Sequence, residues 1–248
     1  MKESERIEKI IEVLKSEYHD AHCSLDFKNP FELLVATVLS AQCTDKRVNE
    51  VTPKLFQKFP SPEKMAKASI EELEKLIQST GFFRNKAKSL LKASQSIVQD
   101  FHGKVPSEMN QLLKLGGVGR KTANVIMGNA FGKPDGLVVD THVTRISRLL
   151  GLSKEKSAEK IERDLNRKIP EKFWVQFPHW LIAHGRAICV ARRPQCLRCP
   201  LLELCPRKGL PKLKIQAPGY RMTPSGELVA TSHAIALKKR KKKLRKIK

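Results

Sequence analysis

The stretch LKLGGVGRKTANVI, residues 113–126, places three glycines within four residues and follows them at once with Arg120 and Lys121. Apolar residues flank the glycines on both sides, so they read as a tight turn joining two helices. With its flanking helices, this helix-hairpin-helix is predicted over 107–131. Glycine permits positive φ and leaves backbone N–H groups unshielded. The second helix starts at the turn, so its free N–H groups and its dipole point the same way. An anion fits that spot, and a DNA phosphate held there is read for position and not for sequence. The plainer alternative is an inter-helix turn that uses glycine for its freedom alone. Leu115 and Val118 are expected to anchor the hairpin in a core. Gly117, Gly119 and Arg120 are expected at the DNA backbone.

Lys121 raises a separate question, because a helix N-terminus disfavours a positive charge by about 0.3–1 kcal/mol. That penalty, and the neighbouring Arg120, act against the ammonium form. A lysine so placed suits nucleophilic amine chemistry; it equally suits a simple phosphate contact.

Outward from the turn, nearly every segment carries helical period. Ile7, Ile10, Ile11, Leu14 and Tyr18 mark one face of a helix over 4–18. Asn29-Pro30 reads as a cap and first position opening FELLVATVLSAQC, a helix apolar nearly all round and expected to be central. Asp45 is expected to open the next helix and Ser61-Pro62 a short one. Ser69 with Glu72 forms a capping box. A long amphipathic helix follows over 84–101, and Ser107 is expected to cap EMNQLLK. Beyond GKPDGLVV, Asp140 stands before THVTRISRLLG as a natural N-cap. Two more helices are predicted over 154–168 and 171–188. No alternating strand pattern and no tandem repeat is present, so the fold class is all-α.

The 248 residues carry a net charge of +23. So positive a balance points to a polyphosphate partner. Twelve Lys and Arg against one acid, Glu227, lie in 211–248, which leaves the body basic by itself. The segment 211–248 reads as a basic tail without helical period, and its end, KKRKKKLRKIK, is expected to be solvated and mobile. No apolar run approaches the ~18 residues that cross a membrane. The charged start lacks signal-peptide character, and a cytoplasmic location is expected by default.

Four of the six cysteines crowd into ICVARRPQCLRCPLLELC: Cys189, Cys196, Cys199 and Cys205, spaced C-x6-C-x2-C-x5-C. Such crowding without an export signal reads as metal ligation before disulfides. Tetrahedral zinc and a [4Fe–4S] cluster both accept four thiolates, and the spacing alone leaves the choice open. Either centre would have no free coordination position. The loop between Cys189 and Cys196 carries Arg192 and Arg193, suited to clamp a DNA backbone.

LGGVGRKTANVI, then VVDTHVTRISRLLG, then the four cysteines in this order resemble the endonuclease III family of DNA glycosylases, over about residues 4–210. The resemblance implies that Lys121 attacks C1′ of a damaged nucleotide, that Asp140 is the catalytic aspartate, and that the cysteines hold a [4Fe–4S] cluster. It implies two helical lobes: a six-helix barrel over 25–133, and a cluster lobe joining 1–24 to 134–210. Gln42 in VLSAQCTD and Phe82 in TGFFRNKA match the family's gap-filling positions. Phe82-Phe83 stands where Leu-Tyr is more usual, which leaves open which ring inserts. Gly116 replaces a common proline and is expected to loosen the hairpin slightly.

The function so implied is a bifunctional glycosylase and abasic-site lyase. It would remove oxidised pyrimidines from double-stranded DNA as a monomer associated with the nucleoid. The alternatives are a monofunctional adenine or mismatch glycosylase, or a non-catalytic DNA-binding or redox protein on this scaffold.

Overall fold

The computed structural model describes residues 1–211 and the backbone of 220–222 and 228–230. Eleven α-helices occupy the first of these stretches. In chain order they are α1 (Glu3–Glu17), α2 (Pro30–Leu39), α3 (Asp45–Lys58), α4 (Pro62–Ala66), α5 (Ile70–Ile77) and α6 (Phe83–Asp100). α7 (Met109–Leu112), α8 (Arg120–Phe131), α9 (Thr141–Leu149), α10 (Ala158–Lys168) and α11 (Gln176–Ala187) follow.

Short polar residues start most of these helices by taking an orphan N–H. Asn29 accepts from Glu32 N at 2.9 Å with Pro30 at the first position. Ser61, Ser69 and Ser157 do the same for α4, α5 and α10. Five boundaries differ from the sequence expectation. α2 stops at Leu39 and does not run through Cys43, because the chain turns left-handed at Gln42 with φ 53°. Thr44, not Asp45, caps α3, its hydroxyl accepting from Arg47 N at 3.3 Å. Ser107 caps nothing: α7 is one turn long and Glu108 precedes it. α10 begins at Ala158, where Ser157 supplies the cap, and a 3₁₀ turn at Glu171–Phe173 precedes α11.

Two separate hydrophobic cores result. The first gathers buried side chains from Leu25 to Met127, with α2 in the middle contributing Leu33, Leu34, Val35 and Leu39. The second joins Ile7, Ile10, Ile11 and Leu14 of α1 to residues between Leu137 and Leu201, with Phe177 fully enclosed. The chain passes between them twice, before α2 and after α8. Each buried Leu or Ile contributes about 1.5–3 kcal/mol of transfer free energy, so both cores are substantial.

Beyond residue 211, Tyr220–Met222 pairs antiparallel with Leu228–Ala230, in register Tyr220↔Ala230, Arg221↔Val229 and Met222↔Leu228. Three residues per strand are too few for alternation to register in a sequence. The expected mobility of the basic end falls outside the described residues.

Candidate active site and cysteine pocket

The hairpin is seated by close backbone approach. Gly117 has φ +76°, and a Cβ there would stand 2.7 Å from Ser89 Cβ on α6. Gly116 has an ordinary φ, yet a Cβ on it would stand 2.9 Å from the Ser89 carbonyl oxygen. The absence of a side chain at Gly116 lets the turn press against α6. Leu115 and Val118 are buried beneath it. α8 then begins at Gly119, which offers no side-chain cap. Its first helical hydrogen bond runs from Ala123 N to Gly119 O at 2.9 Å, so the N–H groups of Arg120, Lys121 and Thr122 have no helical acceptor.

Lys121, second residue of α8, is exposed and lines a cleft of about 450 Å³. Asp140 lines the same cleft from the start of α9, where its Oδ1 accepts from Val143 N at 2.8 Å. The cap role is thus real, and it presents the carboxylate on the wall that Lys121 shares. Both elements that supply these side chains are helix starts, one from each side of the crossing between the cores. Deeper in the cleft, His179 Nε2 lies 3.0 Å from Asn129 Oδ1. Burial, aided by His22, pushes His179 down to about 4, so the ring is neutral and donates to the amide oxygen. Burial also lowers the pKa of His142, the second residue after Asp140. At the rim, Arg186 pairs with Asp45 at 2.9 Å.

The Arg120 guanidinium donates to Glu162 on α10, Nε to Oε2 at 3.3 Å and Nη2 to Oε1 at 2.8 Å, and lies 3.2 Å from Asp135. Glu162 holds its pKa above the usual arginine value. Two carboxylates share this charge, so Arg120 ties the hairpin to the second core. Asn124 Nδ2 donates to the same Glu162 Oε1 at 3.1 Å. Gly136 makes room for this network, since a Cβ there would strike Glu162 and Asn166. Glu162 and Asn124 carried no signal in the sequence: each is one polar residue among many on a helix.

Gln42 and Phe82 come together on one groove, which Lys86, Ser89 and Gly117 also line. Both are exposed, and both are non-glycine residues in left-handed backbone, with φ 53° and 49°. Such geometry costs about 1–3 kcal/mol per residue and persists where the surroundings over-determine it. Phe82 is 66% exposed, a large unsatisfied ring. Phe83 instead packs against the first core, with Arg84 over its face. The two rings are therefore not equivalent, and Phe82 is the projecting one.

The four clustered cysteines line one pocket, together with His184 and Leu201. Among the described residues no three Cys, His, Asp or Glu side chains stand close enough to share a single ion. Four cysteines on one pocket suit either a zinc ion or a [4Fe–4S] cluster, both of which accept four thiolates. Burial pushes Cys189, Cys199 and Cys205 up, Cys199 to about 11, so these thiols call for a cationic centre to become thiolates. Two donors await them. Arg145 Nη1 lies 3.4 Å from Cys189 Sγ. Tyr18 hydroxyl lies 2.8 Å from His184 Nδ1, and His184 Nε2 lies 3.6 Å from Cys199 Sγ. With the hydroxyl donating to Nδ1, the neutral ring carries its proton on Nε2 and donates it to sulfur. Arg192 and Arg193 are exposed, and no carboxylate pairs with either among the described residues.

These elements define a helix-hairpin-helix protein with a cleft at the hairpin and a four-cysteine pocket. The profile of the HhH-GPD superfamily, described as a base excision DNA repair protein, matches residues 35–171. Endonuclease III of Synechocystis sp. is 52% identical over 202 residues, covering 82% of this chain and 92% of its own length. Endonuclease III of Bacillus subtilis is 47% identical over 205 residues, with 82% and 93% covered. A solved endonuclease III, trapped as a covalent intermediate with DNA, superposes with a TM-score of 0.78 at 44% identity, covering 84% of this chain and 97% of that one. A thermostable thymine-DNA glycosylase shares the fold, with a TM-score of 0.73 at 21% identity. The chain belongs to the endonuclease III family, whose members are base excision repair glycosylases and abasic-site lyases and carry a [4Fe–4S] cluster.

Proposed function

We propose that the cleft receives a nucleotide swung out of double-stranded DNA and that Lys121 is the nucleophile. Its Nζ, as the free amine, bonds to C1′. The C1′–N bond breaks, and the base departs with the bonding pair and takes up a proton. The nitrogen then gives up a proton and O4′ takes one up as the C1′–O4′ bond breaks, which opens the sugar ring and leaves the protonated imine at C1′. Removal of a C2′ proton drives the electron pair toward C3′ and expels the 3′ phosphate. Asp140 takes the proton from Lys121 or stabilises the positive charge developing at the sugar. The damaged base is an oxidised pyrimidine.

The lobe of 25–133 supplies the hairpin and Lys121. The backbone of Gly117 and Gly119 holds a phosphate at the uncapped start of α8. Gln42 and Phe82 fill the gap left by the extruded nucleotide. The lobe of 1–24 with 134–210 supplies Asp140 and the cluster site. Cys189, Cys196, Cys199 and Cys205 hold a [4Fe–4S] cluster, which when bound cross-links 189–205 and presents Arg192 and Arg193 to the DNA backbone. The protein acts as a monomer in the cytoplasm, at the nucleoid.

The observation that carries this reading is the pairing of Lys121 and Asp140 on the walls of one cleft, beside an uncapped helix start. Borohydride reduction tests it. Iron-loaded protein mixed with abasic or thymine-glycol duplexes should yield a covalent adduct. Lys121→Ala should abolish the adduct and slow strand nicking by about 10³-fold or more. An adduct that survives the substitution assigns the chemistry to another amine; no adduct with either protein points to a monofunctional enzyme.

A further inference from the structure

Lys86 is the one lysine buried in the protein among the described residues, at 5% exposure. It lies in the first turn of α6 on the stripe that continues through Leu90, Ala93 and Ile97, where an apolar side chain would pack without cost. No carboxylate pairs with it among the described residues, and burial lowers its pKa. A buried ammonium is costly to desolvate, so what it binds is informative. Its Nζ donates to Leu39 O and to Thr80 O, each at 2.8 Å.

Those two carbonyls belong to different loops. Leu39 ends α2, three residues before Gln42. Thr80 ends a 3₁₀ turn, two residues before Phe82. Both lie at helix C-termini, where carbonyls lack helical partners and a cation is favoured. Beyond each anchor the chain enters left-handed backbone, at Gln42 and at Phe82. Lys86 also lines the groove over which both tips stand.

We infer that Lys86 is a positioning residue for duplex opening: one ammonium fastens the Gln42 loop and the Phe82 loop to a single point, so that both tips keep a fixed spacing and enter the duplex together. This rests on the reading of Gln42 and Phe82 as gap-filling residues. Lys86 touches no reacting atom, so its contribution falls on extruding the nucleotide and not on the chemistry at C1′.

Single-turnover rates on two substrates separate these steps: a duplex with a paired thymine glycol, and a single strand with a preformed abasic site that needs no opening. Lys86→Met keeps an unbranched side chain, one atom shorter, and removes every donor. It should slow excision from the duplex by about tenfold or more, while strand cleavage at the unpaired abasic site stays within about twofold. The fluorescence rise of 2-aminopurine placed beside the lesion should slow in parallel. Phe82→Ala should show the same split, and adding Lys86→Met to it should cost little more, because the two act as a unit. Parental duplex excision by Lys86→Met beside a slow Phe82→Ala overturns the inference and leaves the gap-filling reading standing. Parental excision by Phe82→Ala overturns both. Losses that multiply in the double variant also overturn the inference. If Lys86→Met fails on the unpaired strand as well, Lys86→Gln decides: its shorter amide reaches one carbonyl at most and should give the same split at smaller amplitude. Parental rates for Lys86→Gln on both substrates refute the positioning role.

Discussion

Two helix starts face one cleft, and they are built in opposite ways. α8 begins at Gly119, which has no side chain to offer, so its first N–H groups stay open. α9 begins at Asp140, whose carboxylate takes the Val143 N–H. The first leaves a place where an anion can come from outside. The second fills that place from within, and by doing so fixes an acidic group on the wall that Lys121 shares. The same helix-end electrostatics recruits charge at one start and installs it at the other, and one residue decides which.

Substitution at Asp140 tests the contrast most severely. Asn caps a helix as well as Asp does, so Asp140→Asn should fold like the parent and lose about 10²–10⁴-fold in base excision. Asp140→Ala removes the cap as well and should cost about 1 kcal/mol more in a denaturant melt. An Asn variant with parental excision rates would reduce Asp140 to its capping role.

Gly119→Asp makes α8 resemble α9. Nothing stands within 4 Å of a Cβ at Gly119, and its φ of −96° suits any residue. The helix should gain a few tenths of a kcal/mol. Affinity for undamaged duplex at low salt should fall by about tenfold, because the new carboxylate occupies the phosphate position. Anisotropy titration and a melt on the same sample check both halves; unchanged affinity would remove the anion site from α8.

The smallest effect concerns the cleft floor they share. His179 is held neutral down to about 4, whereas an unfolded histidine titrates near 6.5. Its folded pKa is depressed, so the unfolded chain binds the proton first. Stability is therefore complete above about pH 6.5 and declines as pH falls toward 4. His179→Gln should flatten that part of a Tm–pH curve; an identical slope in the variant would assign the acid loss elsewhere.

The helices were legible wherever a periodic stripe met a short polar cap, as at Asn29, Ser61 and Asp140. Boundaries were missed where two neighbouring residues could both cap, as at Thr44 and Asp45, and where a distant residue held the helix end. α2 ends early because the Gln42 turn follows and Lys86, 47 positions away, holds the last carbonyl. Lys86 itself left a trace, since it sits on the apolar stripe of α6, where a lysine is out of place. Arg120 has partners that the sequence does not reveal. Beside three glycines in a basic chain it reads as a phosphate contact, and only the tertiary fold brings Glu162 and Asp135 to it. Cysteine spacing pointed to one centre, and the fold brings all four cysteines to one pocket; the kind of centre is carried by the family and not by the spacing.

The Arg120–Glu162 tie has a mechanical consequence. A fork anchored across the boundary between the two bodies denies the hairpin any swing of its own, since parting them would strip a nearly buried carboxylate of its counter-charge. The hairpin and the second core are thereby braced against one another.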